Sequence, residues 1–323
     1  MSAKVDITDT FGTAMNLRGV LTTPPPALDF VLPGLLAGDF GVLVGPGGVG
    51  KTMLELHLAV ALATGTPACG GLFEDERKPP AVAGRVVFVA TEESEAILHH
   101  RLHAVVGQVA QACGLDRSPA RRAAFLNDLH SNLRIYALDG VRRITLLNTA
   151  GELTNQCQPL MELCTDARLV FLDPLRQLHE GEENNSFVMN RMVQLLRTIA
   201  KRTGAAIVAA HHANRASVQY GVGDLATASR GSTALPDGTR WQLNLSRPTK
   251  EWAKAHGVSE DDKSQLLLVD VSKTNYSATP STVALRRLAN GALTLDSLAQ
   301  PEAGGHATAR GARRTTQLSM VSR

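Results

Sequence analysis

Long apolar runs are missing from this 323-residue chain, and none approaches the ~20 residues that a membrane span needs. The first 21 residues contain no basic start followed by an apolar stretch, which is the pattern of an export signal. Apolar residues make up 44% of the chain and charged residues 20%, as is ordinary for a folded soluble protein. We therefore expect a cytoplasmic protein without membrane contact, built as one large α/β domain with additional segments.

Cysteine is also scarce. The four cysteines form no C-x-x-C pair and do not have the spacing of zinc ligands. In a cytosolic chain such residues are typical of buried or unreactive thiols, and we assign them no role. His99 and His103 are spaced for one helix face, but the sequence places no third ligand beside them, so a zinc site is not predicted.

Excess positive charge is almost absent from the body of the chain. The formal net charge is +3, and residues 302–323 carry four arginines against Glu302 alone, so the other 301 residues balance to zero. This excludes a chain that is strongly basic throughout. Any contact with DNA must come from a local patch, or from a patch that symmetry repeats.

What the sequence does contain is one complete phosphate-loop pattern, G-x-x-x-x-G-K-[ST], at residues 45–52. Residues 40–44 predict a short apolar strand before it. Leu54, Leu58 and Leu62 have helical spacing after it, so the pattern has the context that it requires. The predicted loop consists of Gly45, Pro46, Gly47, Gly48, Val49, Gly50, Lys51 and Thr52.

The chemistry of such a loop follows from its residue types. Glycines let backbone N–H groups turn inward around a phosphate, and the helix N-terminus adds its positive dipole end. Lys51 reaches the β- and γ-phosphates, and Thr52 offers an oxygen to Mg²⁺. The expected cofactors are ATP and Mg²⁺. A glycine-rich turn without a ligand is the alternative, and the agreement of strand, loop and helix favours the phosphate site.

Carboxylates follow the next buried strand, predicted over residues 85–90. Glu92 and Glu93 stand at its carboxyl end, where parallel strands face the ligand crevice, and we choose Glu92 as the base that orients the attacking water. The alternative is that both acids merely open the following helix, with Thr91 as its cap. The residue types alone do not decide between Glu92 and Glu93.

Two later strand ends carry further candidates. Residues 169–172 are an apolar strand that ends in Asp173, which is placed to hold Mg²⁺ opposite the phosphate loop. The strand over residues 205–210 ends in His211 and His212. Neighbouring residues in a strand point to opposite faces, so one histidine is suited to sense the γ-phosphate and the other to be structural.

The rest of the chain alternates helices and strands. We predict a flexible arm over residues 1–23, an ATPase domain over 24–299 and a disordered arginine-bearing tail over 300–323. The small polar residues of 213–239 predict a mobile loop, in which Arg215 and Arg230 are candidate DNA contacts. Further helices are predicted at 94–112, 118–130, 159–166, 187–203 and 251–256, and further strands at 28–32, 133–138, 144–147, 240–245, 265–271 and 283–288.

Together these residues resemble the RecA-like ATPases, in which a glutamate strand neighbours the phosphate-loop strand. More narrowly, they resemble the RepA-type hexameric replicative helicases of IncQ-type plasmids. The runs His-His-Arg-Leu-His and Ser-Arg-Gly-Ser are not general ATPase patterns, so they make this part of the resemblance specific. The matching residues are 24–26, 28–33, 45–53, 92, 99–104, 172–173, 211–213, 228–232, 240–242, 271–273 and 275–276.

The resemblance implies a RecA-like P-loop core with a central, mostly parallel sheet, helices on both faces and antiparallel strands at the C-terminal end. It implies a homohexameric ring with ATP at each interface and single-stranded DNA in the central hole. Plasmid initiator and primase proteins are further expected partners. The residues that the resemblance assigns are Glu92, Lys51, His212 and the trans-acting Arg240 in catalysis, Arg101 and Lys273 as nucleotide contacts, and Thr52 and Asp173 at Mg²⁺.

Three functions therefore compete. The first is a 5′-to-3′ DNA helicase that unwinds a plasmid origin for replication, and the second is a RecA-like regulatory or recombination ATPase that binds DNA without unwinding it. The third is a small-molecule phosphotransferase. The third requires a lid with basic residues, whereas the loop after His212 is small and polar.

Overall fold

A nine-stranded sheet organises the computed structural model, which describes residues 12–73, 82–213 and 234–296. The strands are β1 (Phe30–Leu32), β2 (Leu35–Leu36), β3 (Phe40–Gly45), β4 (Val86–Ala90), β5 (Leu133–Ala137), β6 (Leu169–Asp173), β7 (Ala206–His212), β8 (Trp241–Ser246), β9 (Leu266–Thr274), β10 (Val283–Arg287) and β11 (Leu293–Leu295). The helices are α1 (Leu17–Thr22), α2 (Lys51–Thr64), α3 (Glu95–Ala112), α4 (Pro119–Asn132), α5 (Cys157–Cys164), α6 (Ser186–Thr203), α7 (Ala234–Gly238), α8 (Lys250–Ala255) and α9 (Glu260–Gln265).

The order of the strands in the sheet is β11-β10-β9-β8-β3-β7-β6-β4-β5. The six strands from β8 to β5 run parallel, and β9, β10 and β11 continue the sheet as antiparallel neighbours. The predicted fold class is therefore confirmed. The expectation that the glutamate strand neighbours the phosphate-loop strand is wrong, because β7 and β6 separate β4 from β3. Side chains beyond the carboxyl ends of the strands can nevertheless meet across that distance.

Helices cover both faces of the sheet because its central strands are apolar on both sides. In β4, Val86 and Phe88 belong to the core on one face, with α2, α3 and α4, whereas Val87 and Val89 belong to the core on the other, with α5 and α6. The predicted apolar stripe of α6 is buried as expected. Its members are Met189, Met192, Val193, Leu196 and Ile199.

Helix boundaries follow the capping residues in the sequence. The Ser118 side chain accepts a hydrogen bond from the N–H of Arg121 at the start of α4, and Asn185 caps α6 in the same way. Gly204 ends α6 at a φ of 77°, a conformation that costs glycine little. Each of these helices thus begins and ends within two residues of the predicted bounds.

Some predicted elements are wrong. Residues 144–147 do not form a strand in the sheet. Leu146 and Leu147 are buried, but Leu147 forms only isolated β-bridges. The N–H of Leu146 donates a hydrogen bond to the Leu178 carbonyl at 2.7 Å. The apolar residues account for the burial of this segment, but it does not pair with the edge strand β5. The sequence analysis also missed β11 and α9, which are too short to show a clear period.

The candidate DNA contacts Arg215 and Arg230 lie outside the described residues, as do residues 1–11 and the tail from 297 onward. Within the predicted arm, α1 has no buried residue. The described ranges contain no helix that is both long enough and apolar enough to span a membrane.

Candidate functional site

The phosphate loop connects the end of β3 to the start of α2, as the sequence predicts. Gly48 and Gly50 have φ values of 69° and 115°, a region in which a side chain is strained, so glycine is required at both positions. The N–H of Leu54 donates to the Gly50 carbonyl at 3.0 Å, which starts the helix directly after the loop. The N-terminus of a 14-residue helix therefore points at the loop.

Lys51 is folded into the loop. Its Nζ donates to the carbonyls of Gly45 at 3.0 Å and Pro46 at 3.1 Å, and only 7% of the residue is exposed. The ammonium group is therefore held beside the backbone that the phosphates of a nucleotide would line.

Thr52 and Asp173 meet, although 121 residues separate them in sequence. The Thr52 hydroxyl donates to Asp173 Oδ2 at 2.6 Å, which joins the phosphate loop to the end of β6. Burial raises the pKa of Asp173, while the Thr52 hydrogen bond and the Lys51 charge act against that rise. A hydroxyl and a carboxylate at this distance are the pair of oxygen ligands that Mg²⁺ would require here.

The chain after β4 is bound to the same strand end. The N–H and hydroxyl of Thr91 both donate to the Asp173 carbonyl, at 2.8 and 3.0 Å. The alternative that Thr91 caps the following helix is therefore wrong, because Ser94 is the cap of α3 and accepts from the N–H of Ile97. Thr91 instead fixes the backbone directly before Glu92 against the carboxyl end of β6.

The two candidate carboxylates point to different partners. Glu93 forms an ion pair with Arg101 of α3 at 2.7 Å. The Arg101 guanidinium is therefore paired with an acid at the start of its own helix. Glu92 accepts a hydrogen bond from the Gln177 amide at 2.8 Å and lies close enough to Asp173 to contribute to the raised pKa of that residue. Glu92 is thus the member of the pair that faces the Thr52 and Asp173 oxygens.

Gln177 and Glu55 are two residues of this site that the sequence analysis missed. Gln177 lies in a short helix directly after β6, where an isolated glutamine has no recognisable pattern. Glu55 is completely buried one turn after Lys51, and burial, followed by the Asp173 charge, raises its pKa well above the usual range. The Glu55 carboxyl therefore lies close enough to Asp173 for the two groups to interact. An acid in the apolar stripe of the predicted helix was a signal that could have been noticed.

The two histidines at the end of β7 point to opposite faces, as the strand period requires. His211 is 1% exposed and its Nδ1 lies 3.9 Å from a carboxylate oxygen of Glu183. His212 is the histidine beside the phosphate loop: a Cβ built on Gly47 would lie 3.8 Å from its ring. Of the two, His212 is the one placed to contact a nucleotide.

Arg240 and Lys273 do not join this group. β8 runs parallel to β3 with Trp241 opposite Gly41, so Arg240 precedes the strand at the far end of the sheet, about 16 Å from the loop by strand length. Lys273 is opposite Gln242 on β9, and its Nζ donates to the Pro236 carbonyl at 2.6 Å. Burial lowers the pKa of Lys273, the Asp237 carboxylate acts against that shift and the charge of Arg240 adds to it, so Asp237 and Arg240 are both neighbours of Lys273.

The remaining candidates form no metal centre. His99 and His103 are exposed on α3, and no three histidine, cysteine or acidic side chains in the described part of the chain are grouped to hold an ion. The four cysteines are free thiols, and Cys69 and Cys164 are buried.

The parallel sheet, the phosphate loop and the strand-end carboxylate are the features of a RecA-like P-loop fold. Residues 12–218, more than half of the chain, match the family model AAA_25, described as an AAA domain, and the chain belongs to that family. The match ends before α7, so β8 to β11 lie beyond it.

Solved structures with the same fold share little sequence with the chain. One, described as an ATPase domain, has a TM-score of 0.54 at 14% identity, and the match covers 80% of this chain and 85% of that domain. Another contains a DnaB-like replicative helicase and its interactions with primase; its TM-score is also 0.54, at 15% identity. The match covers 80% of this chain and 57% of that helicase chain. At such identities the similarity concerns the fold.

Proposed function

We propose that the chain hydrolyses ATP with Mg²⁺ at the phosphate loop. The observation that carries the proposal is the hydrogen bond between Thr52 and Asp173, which brings the two expected oxygen ligands together beside Lys51. Glu55 is buried beside Asp173, whereas Glu92 and Gln177 lie on the solvent-exposed side of the site. This donor set fits a hydrated divalent cation bound to phosphate oxygens.

The residues have separate tasks in this proposal. The loop N–H groups and Lys51 bind the phosphates, and bound Mg²⁺ supplies positive charge to the phosphate oxygens. Glu92 orients the attacking water and accepts its proton, while the Gln177 amide holds the carboxylate in place. His212, beside Gly47, donates a hydrogen bond toward the γ-phosphate.

Arg240 and Lys273 act in this proposal on the nucleotide of a neighbouring copy. Arg240 and Lys273 lie beside the end of β8 that is distant from the phosphate loop. An arginine side chain spans only about half of the ~16 Å between that end and the loop, so neither residue reaches the loop of its own chain. Two neighbouring cations at one surface are suited to a partner that presents phosphate charge. In a ring, Arg240 and Lys273 of one copy would complete the nucleotide site of the next copy, and each copy would have its own site completed in the same way.

We further propose that the ring is a DNA helicase that moves 5′ to 3′ on single-stranded DNA and opens a plasmid origin during replication. The support is the sequence resemblance to hexameric plasmid helicases and the DnaB-like fold. The near-zero charge of residues 1–301 also agrees, because a strand bound by six copies needs little charge from each. Initiator and primase proteins are the proposed partners at the origin.

Phosphate release from ATP tests the first part of the proposal. We expect hydrolysis that requires Mg²⁺, that single-stranded DNA stimulates and that is absent from Asp173→Ala. Mass measurement in the presence of ATP should give six copies. A monomer with full turnover would contradict the division of the site between copies.

Strand displacement tests the second part. Duplexes with a 5′ or a 3′ single-stranded tail should differ, and only the 5′-tailed duplex should release its labelled strand when ATP is added. DNA-stimulated hydrolysis without release from either duplex would instead favour the regulatory or recombination ATPase.

A further inference from the structure

One residue of the antiparallel region contacts the phosphate loop from outside. Arg287 is the last residue of β10, and its Nη2 donates a hydrogen bond to the carbonyl of Val49. Val49 is the residue before Gly50, and 238 residues separate it from Arg287 in sequence. Because β10 lies beyond the part of the chain that matches the AAA domain family, the contact belongs to the added strands.

The guanidinium group also occupies the space beside Gly50. A Cβ built on Gly50 would lie 3.0 Å from Arg287 Nη2, closer than most real contacts of a Cβ atom. Gly50 therefore has two reasons to be glycine: its φ of 115° and the approach of Arg287. The loop and the arginine are fitted to one another.

The contact fixes the direction of one peptide unit. The bond between Val49 and Gly50 is trans, so the Val49 carbonyl and the Gly50 N–H point in opposite directions. A donor that holds the carbonyl outward therefore turns the N–H inward, to the side where a phosphate loop binds phosphate. No hydrogen bond from the Gly50 N–H to any of the described residues is present.

Arg287 differs from its neighbour Arg286 in having no acidic partner within residues 12–73, 82–213 and 234–296. Arg286, on the opposite face of β10, binds Asp296 at 2.7 Å and Asp262 at 3.0 Å. No described carboxylate lies within ion-pair distance of Arg287, and burial, with the nearby charge of Arg247, lowers its pKa. A half-buried cation beside a second cation is costly, and no acid offsets that cost. Among the described residues, the hydrogen-bond partner of Arg287 is the Val49 carbonyl.

We propose that Arg287 is a positioning residue that holds the Val49–Gly50 peptide with its N–H directed at the bound phosphates. The proposal rests on the proposed binding of ATP at this loop. It makes β10 a support of the nucleotide site in the same chain, in contrast to Arg240 and Lys273, which serve a neighbouring chain.

Calorimetric titration with two probes tests this role. Mg²⁺–ATP and Mg²⁺–tripolyphosphate are titrated into the full chain, into Arg287→Met and into the matched control Arg286→Met. We expect Arg287→Met to bind both probes about tenfold more weakly, the effect of one misdirected charge-assisted donor. Arg286→Met should bind as the wild type does. Arg287→Lys keeps a cationic donor and should fall between the wild type and Arg287→Met, which preserves the test if the methionine variant does not fold.

Three outcomes would overturn the inference. Equal affinities of Arg287→Met and the wild type for both probes would remove the positioning role. A loss for ATP alone, with tripolyphosphate unaffected, would assign Arg287 to the base or ribose rather than to the loop. A wild-type chain that binds neither probe would refute the proposed function itself, and this inference with it.

Discussion

The parallel region, β3 to β7, and the later region, from Arg240 through β11, contribute to the site in different directions. The parallel region gathers its polar side chains at the carboxyl end of the sheet, where Thr52 contacts Asp173. The later region sends Arg287 to that same end but leaves Arg240 and Lys273 at the other. The difference teaches that a single chain can gather the residues that we propose for its own nucleotide site at one end of the sheet while it holds those proposed for a neighbour's site at the other end.

Removing the charge of the phosphate loop should have the largest effect. We expect Lys51→Ala to fold normally but to lose measurable ATP hydrolysis, because the β- and γ-phosphates lose their cation. Phosphate release and thermal unfolding measure the two quantities. Retained turnover in this variant would remove the parallel region as the site of hydrolysis.

The later region is tested by Arg240→Ala. An arginine that stabilises charge developing in the transition state can contribute ~10³-fold to turnover, so we expect a loss of that order while ATP binding persists. Turnover and calorimetric affinity should therefore separate. Equal losses in binding and turnover would mean that Arg240 acts on the fold or on ground-state binding.

Mixing variants tests which chain Arg240 serves. Arg240→Ala subunits have an intact phosphate loop, and Lys51→Ala subunits have an intact arginine, so mixed rings should regain part of the hydrolysis that either variant lacks. Subunit exchange is verified by mass measurement. Mixed rings as inactive as their parents would contradict action in trans.

A smaller effect is expected from Glu92→Gln. Loss of a general base costs typically ~10²-fold or more, and nucleotide binding should remain. The matched control is Glu93→Gln, which breaks the ion pair with Arg101 at the start of α3 and should leave most of the turnover. The reverse ranking of the two variants would show that the base was assigned to the wrong carboxylate.

The smallest effect concerns His57, which joins the two regions. Its Nε2 accepts from the Leu293 N–H at 2.9 Å, and burial lowers its pKa from 6.5 to about 4. The folded chain therefore takes up this proton later than the unfolded chain, so stability is complete above pH 6.5 and falls as the pH decreases toward 4.

Between pH 7.5 and 5.0 this group should remove about 2 kcal/mol of the free energy of unfolding, a roughly 30-fold change in the folding equilibrium. Denaturant unfolding of the wild type and of His57→Gln at both pH values measures the difference, and the other titrating groups cancel. Parallel pH profiles of the two proteins would contradict this role for His57.

The parallel region was largely predictable from the sequence, because its strands are apolar runs and its helices have apolar stripes and caps. The phosphate loop and Asp173 were found for the same reason: each follows a clear strand. The strand pattern alone left the two adjacent histidines open, and the resemblance assigned His212, the one that the structure places beside Gly47. Glu92 was chosen over Glu93 in the sequence analysis, but its contact with Gln177 and the ion pair of Glu93 with Arg101 appear only in the structure.

The later region was harder to predict. β11 has three residues and α9 has six, too few for a period to appear. Arg287 has no local pattern at all, because its contact is with a loop 238 residues away. Long-range contacts of single side chains are set by packing, which a pattern of residue types does not contain.

The order of strands also has a consequence for fragments of the chain. β3 ends at Gly45, whereas its two neighbours begin at Ala206 and Trp241, so the central strand acquires both partners only late in synthesis on the ribosome. A fragment that stops at residue 218, where the family match ends, lacks β8. It would expose one edge of a fully apolar strand, which is a template for aggregation. A soluble fragment has to extend through β8.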